Sequence, residues 1–140
     1  MIIDYGHKVQ YYETDQMGVV HHSNYIRWFE EARVDMMEQL GLGYEIMEQN
    51  NIISPVLVVS AEYKEMVRFG QSVIIRPSVL EYNSVKMTIS YEVFDAKTSS
   101  LVCVGTSKHC FLDKEGKPVS LKRKHEGFNK MFLKMLTDAN

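Results

Sequence analysis

Nowhere in these 140 residues do 18 apolar side chains run together, which leaves no candidate for a membrane-crossing helix. The start, MIIDYGHKVQ, places an acid at position 4 and has no apolar stretch of signal-peptide length, so no leader is expected. An excess of one charge is missing too. Sixteen Lys and Arg stand against eighteen Asp and Glu, for a formal net charge of -2, so the chain lacks the global basic field that draws nucleic acid. No nucleic-acid partner is expected. There is no linker, internal repeat or low-complexity run, and a hydrophobic fraction of 45% beside 24% charged residues is that of an ordered globular chain. One domain with one core is expected over residues 1–140.

Cysteine is scarce as well. Cys103 and Cys110 fall in one apparent strand, where seven residues at about 3.3 Å each separate them by roughly 23 Å and the odd spacing puts them on opposite faces. A disulfide needs Cα atoms within about 4.4 to 6.8 Å. Reduced core thiols and a cytoplasmic location are therefore expected.

What is present is strongly patterned. His7 to Tyr12 reads as a short strand ending in two tyrosines. From Tyr25, the apolar positions Tyr25, Trp28, Phe29, Ala32, Met36 and Leu40 recur at spacings of three and four, while Arg27, Glu30, Arg33 and Glu38 take other faces. This spacing predicts a helix of four to five turns, with Ser23 or Asn24 as N-cap and Gly41 followed by Gly43 as a left-handed stop. Beyond Pro55 the period changes. Val56–Lys64, Ser72–Leu80, Val85–Phe94 and Leu101–Leu112 are rich in β-branched and aromatic residues, and their connections EYNS, DAKTSS and DKEGKP suit tight turns. These turns are too short for parallel crossovers, so an antiparallel sheet is expected. Phe128, Met131, Phe132, Met135 and Leu136 predict a short C-terminal helix at about 125–137. The sum is an α+β domain in which the sheet wraps one long helix, burying Trp28 and Phe29 and leaving the helix N-terminus accessible.

That N-terminus is preceded by YYETDQMGVVHHSNY, residues 11 to 25. Backbone N–H groups at a helix start lack intrahelical acceptors and carry the positive end of the macrodipole. They suit the oxyanion that acyl transfer generates, where one preorganised donor lowers the barrier by about 2.7 to 4 kcal/mol. Asp15 lies one short loop upstream, and Gly18 allows that loop to turn sharply. A carboxylate facing such donors can attack a carbonyl or deprotonate water. Asp in this place is also an ordinary turn or cap residue.

The string TDQMGVVHHSNY resembles the signature of the 4-hydroxybenzoyl-CoA thioesterase family within the hot-dog fold: Thr-Asp, two residues, Gly-Val-Val, one residue, His, two residues, Tyr. The resemblance continues through WFEEAR, the Pro55 break and CVGTSKHCFLD, covering about residues 7 to 121. It implies an acyl-CoA thioesterase with Asp15 as nucleophile or general base. It implies further that the thioester carbonyl is held by the backbone N–H of His22, seven residues on. Gly18 and Ser23 become candidate substrate-binding residues. No cofactor is needed, and the substrate is an acyl-CoA, with an acyl carrier protein as the other carrier. Relatives commonly carry an acid after the glycine in strand three, where this chain has Gly70 and Gln71. Hot-dog relatives form homodimers or homotetramers, and pairing would cover open sheet edges.

Other groups offer weaker chemistry. His21 and His22 lack the spacing of a metal site. Glu30, Glu31, Asp35 and Glu38 are read first as a solvated or interface face, and His109 with Cys110 as core packing, since neighbours in a strand face opposite sides. Lys64, Arg68, Lys122, Arg123 and Lys124 are either contacts for CoA phosphates or solvated charges. The alternative function is a non-catalytic binding module for acyl thioesters. A hot-dog dehydratase is disfavoured because its His-Phe-Pro-Gly stretch is absent.

Overall fold

The computed structural model describes residues 2–138. The elements in chain order are β1 (Tyr5–Lys8), a 3-10 turn (Tyr11–Glu13), α1 (Ser23–Gln39), α2 (Tyr44–Gln49), β2 (Val56–Tyr63), β3 (Ser72–Tyr82), β4 (Lys86–Asp95), β5 (Leu101–Cys110), α3 (Leu121–Lys124) and α4 (Glu126–Asp138). The strands form one sheet in the order β1-β3-β4-β5-β2, with every pairing antiparallel. This is the α+β arrangement expected, a sheet around one long helix.

Periodicity explains why α1 sits where it does. Tyr25, Trp28, Phe29, Ala32 and Met36 are all buried and form one stripe along the helix. The stripe packs on the inward positions of the sheet, among them Met87, Ile89, Tyr91 and Val93. The helix comes close to the sheet at Gly105, which pairs with Tyr91 on one side and Ala61 on the other. A Cβ there would collide with the Phe29 ring and the Ser60 carbonyl. Without it, Phe29 lies flat against Tyr91, with centroids 4.5 Å apart and planes 10° from parallel.

Several expectations needed correction. The first strand stops at Lys8, and Tyr11 and Tyr12 are each 78% exposed in the 3-10 turn. The Glu13 carboxylate accepts the Gln10 N–H at 2.7 Å and so bends the chain away from the sheet. Neither Ser23 nor Asn24 caps α1: the helix begins at Ser23, behind His22 in helical conformation, with no side-chain cap. Of the two stop glycines, Gly41 is left-handed at φ +75, whereas Gly43 precedes α2 at φ -52. That six-residue helix was missed because it is too short to display a period. Arg33 is not on an outer face; it is 7% exposed. Of the cysteines, only Cys103 is buried, while Cys110 on the opposite face is half-buried, and both are unpaired. Burial pushes the Cys103 thiol up to about 12.

The two sheet edges differ. β1 reaches only from Ser72 to Ile75 along β3, so Pro77 lies where β3 has outrun its neighbour and the missing N–H costs no β1 bond. On the other edge, β2 exposes Val56, Leu57, Val58, Val59 and Tyr63 at 38 to 52%. At the far end of α1, α4 packs against β3 and drives Phe132 between Tyr82 and Phe111.

Candidate active site

The segment between β1 and α1 is a closed loop. Thr14 bridges to Val20, and Val19 bridges to Arg68 on the β2–β3 connection. The Asp15 N–H donates to the Val19 carbonyl at 2.8 Å and the Val20 N–H to the Val67 carbonyl at 2.8 Å. Val19 and Val20 are both buried, so they pin the loop while Gln16, Met17 and Gly18 remain exposed. Gly18 sits at φ +76, where any side chain would be strained, and its N–H closes the turn on the Asp15 carbonyl at 3.0 Å.

Asp15 is half-buried. Its Oδ1 accepts the Met17 N–H at 2.8 Å and the Val19 N–H at 3.3 Å, an Asx-type closure. Its Oδ2 has no protein partner among the described residues. The turn role anticipated for this residue is thus present, and it leaves one carboxylate oxygen available. The loop ends at His22, whose backbone N–H has no protein acceptor among the described residues, whereas the His21 N–H is taken by the Glu13 carbonyl at 2.8 Å. The His22 carbonyl accepts the Tyr63 hydroxyl at 3.1 Å, which ties the loop end to β2. One loop therefore carries a carboxylate oxygen and a main-chain donor, both without partners, at the positive end of a 17-residue helix.

The side chains of the histidines do other things. His21 and His22 stack at 4.2 Å, and no group of three ligating side chains gathers among the described residues. Ser23 is exposed, with its hydroxyl 2.9 Å from His21 Nδ1. Of the basic candidates, Arg68 reaches the loop: its guanidinium is 3.5 Å from the Met17 carbonyl. Lys64 pairs weakly with Glu62 at 3.3 Å. Lys122, Arg123 and Lys124 are on α3, whose start is held by the Ser84 carbonyl at the opposite end of the strands. The helix acids Glu30, Glu31, Asp35 and Glu38 gather instead around one surface pocket beside Tyr5 and Arg27. Glu31 meets the Tyr5 hydroxyl at 3.2 Å, Asp35 meets Gln39 at 2.7 Å, and Glu30 and Glu38 are exposed.

Gln71 has a structural use. Its Oε1 accepts the Arg68 N–H at 2.7 Å, and its Nε2 donates to Asp95. His109, 1% exposed, accompanies Ser107 at 2.7 Å as part of the core. Sequence reasoning missed two residues that shape the loop, Glu13 and Tyr63, and gave Asn24 a different part: its side chain holds the Glu13 carbonyl at 2.9 Å and does not cap α1. Tyr63 carried a signal, as an aromatic ending an apolar strand; Glu13 had none beyond adjacency to the motif.

A sequence model of the thioesterase-like superfamily matches residues 9–134. The chain belongs to that superfamily. It is 33% identical over 117 residues to a putative acyl-CoA thioesterase, YneP, of Bacillus subtilis, across 83% of this chain and 84% of the relative. It is 37% identical over 117 residues to a putative esterase of Aquifex aeolicus, across 84% of this chain and 89% of the relative. Its fold matches the crystal structure of a DHNA-CoA thioesterase from Staphylococcus aureus with a TM-score of 0.89 at 31% identity, covering 96% and 90% of the two chains. The α+β sheet around α1 is therefore a hot-dog fold. The superfamily match also runs past Leu121, where the sequence signature stopped, to residue 134 in α4.

Proposed function

We propose that this thioesterase-superfamily chain, one hot-dog domain, hydrolyses an acyl-CoA thioester to a free acid and CoA, with Asp15 as the reacting group. The observation that carries the assignment is the presence on one closed loop of both an Asp15 Oδ2 and a His22 N–H without partners among the described residues. The naming of relatives as acyl-CoA and DHNA-CoA thioesterases supports the substrate class.

The chemistry follows from these groups. As general base, Asp15 takes a proton from water while the water oxygen bonds to the thioester carbon. The carbonyl oxygen becomes an oxyanion that the His22 N–H and the helix dipole stabilise. The C–S bond then breaks, and the CoA sulfur leaves with the proton that Asp15 collected. As nucleophile, Asp15 would instead expel CoA by forming a mixed anhydride, which water then cleaves. Gly18 shapes the turn, and Ser23 stands at the exposed helix start beside the thioester's path.

β2 supports a homodimer as the working unit. Its outer edge leaves backbone groups unpaired, its exposed valines suit burial, and its Tyr63 touches the site loop. A tetramer built from such dimers is the next possible assembly. The unpaired thiols Cys103 and Cys110 support a reducing, cytoplasmic setting.

Thiol release from a panel of acyl-CoAs and acyl carrier protein thioesters tests the function. Turnover of at least one acyl-CoA is expected. Retention of ligand without turnover of any would leave a binding module instead.

A further inference from the structure

Glu13 stands two residues before Asp15 and is 4% exposed. Its Oε1 accepts the Gln10 N–H at 2.7 Å and lies 2.8 Å from His7 Nε2, and its Oε2 accepts the Trp28 indole N–H at 2.7 Å. Its carbonyl accepts the His21 N–H at 2.8 Å and the Asn24 side-chain amide at 2.9 Å. One residue is thereby joined to β1, to the 3-10 turn and to the first two turns of α1. Its bonds to His21 and Asn24 flank His22, while its own chain leads directly into Asp15.

We propose that Glu13 is a positioning residue of this site: its buried carboxylate, locked to Trp28 and Gln10, sets the separation between the Asp15 carboxylate and the His22 N–H. The inference rests on the function proposed above. Burial opposes the Glu13 charge, but the Gln10 N–H and the His7 and Trp28 bonds outweigh it and lower its pKa. His7 is itself held on its other side by Glu31, 3.4 Å from Nδ1. Trp28 and Gln10 present fixed donors to opposite oxygens, and only a carboxylate accepts both. In Glu13→Gln, one orientation of the amide sets its NH2 against the Trp28 indole N–H, and the other sets it against the Gln10 N–H. The shape is kept and one bond must fail.

The test uses the full chain with Glu13→Gln and Glu13→Gln/Trp28→Phe, measuring kcat and KM separately and amide exchange by NMR. In Glu13→Gln, kcat is expected to fall about 100-fold with KM held within about threefold, since small misplacement of reacting groups costs on this scale. The His21 amide should exchange faster while β4 and β5 amides stay unchanged. Adding Trp28→Phe removes the opposing donor and should recover about tenfold in kcat. An unchanged kcat, or faster exchange spread equally over β4 and β5, overturns the proposal. If Glu13→Gln does not fold, Trp28→Phe alone should lower kcat about tenfold and loosen His21; no change in either overturns it. Should the wild type release thiol from no acyl-CoA, the proposed function fails. The exchange measurement then decides Glu13 by itself: selective loosening at His21 supports it, and uniform loosening overturns it.

Discussion

Two buried polar networks meet α1, and they are built differently. At the helix start, the Glu13 carboxylate is surrounded by donors and tied to a loop that is itself exposed. Three turns further along, Arg33 donates to the hydroxyls of Tyr44 at 2.9 Å and Tyr91 at 3.0 Å. Tyr91 continues to Ser107 at 2.6 Å, and Ser107 to His109. This second chain ends on His109, whose Nδ1 makes no full hydrogen bond among the described residues, with the Ser54 backbone nearby. Burial works against the Arg33 charge, while Tyr91 and Tyr44 hold it and raise its pKa. The first network connects the core to the exposed loop that carries Asp15; the second is enclosed between helix and sheet. Buried polar groups can therefore serve geometry at a site or specify one packing of a core, and the difference lies in what their far ends touch.

The comparison predicts that substitutions at the loop change rate, and substitutions at the inner chain change stability. The largest effect belongs to Asp15→Asn, expected to lower kcat roughly 100- to 10,000-fold while thermal unfolding moves little. Unchanged turnover in this variant would remove Asp15 from the mechanism. Next comes Gly105→Ala, which forces Phe29 off Tyr91 and should cost about 1 to 3 kcal/mol in chemical denaturation. Tyr91→Phe leaves the Arg33 Nη1 without its buried acceptor and takes one of two partners from the Ser107 hydroxyl, for a loss of about 1 to 3 kcal/mol with kcat per folded molecule preserved. If Tyr91→Phe instead costs turnover as Asp15→Asn does, the two networks are not separate.

A pH dependence of stability is expected as well. Burial, then the nearby Arg33 charge, lowers the His109 pKa to about 4 from an ordinary value near 6.5. The unfolded chain thus binds this proton more readily than the folded one. Stability should be complete above about pH 6.5, decline as pH falls toward 4, and gain no further loss from this group below that. His109→Gln should flatten the decline in denaturation midpoints measured across that window; an unaltered slope would assign it to other groups. A single edge substitution, Val58→Asp, should shift sedimentation toward the monomer if β2 is the pairing edge.

Much of the architecture was legible because periodicity records burial. Trp28, Phe29 and Met36 at helical spacing, and Met87 to Val93 in alternation, each placed their element correctly against the core. Short or polar features were not legible. α2 has too few residues to show a period, and Arg33 appeared to belong with Glu30 on an outer face. A hydrophobic pattern cannot tell a solvated cation from one enclosed by tyrosines that lie 11 and 58 residues away.

The amino-acid order alone determined the α+β class, the long helix, the sheet segments and the stretch from Thr14 to Tyr25 as the place where chemistry was expected. These depend on local chain geometry and on which side chains avoid water. Only the tertiary structure decided that one Asp15 oxygen is consumed by the turn, that Arg68 approaches the loop while Lys122 to Lys124 do not, and that Glu13 holds Trp28 and Gln10 together. Each of these depends on where a donor from a distant segment comes to rest, and hydrogen bonds act through angles and a few tenths of an ångström that no sequence pattern encodes.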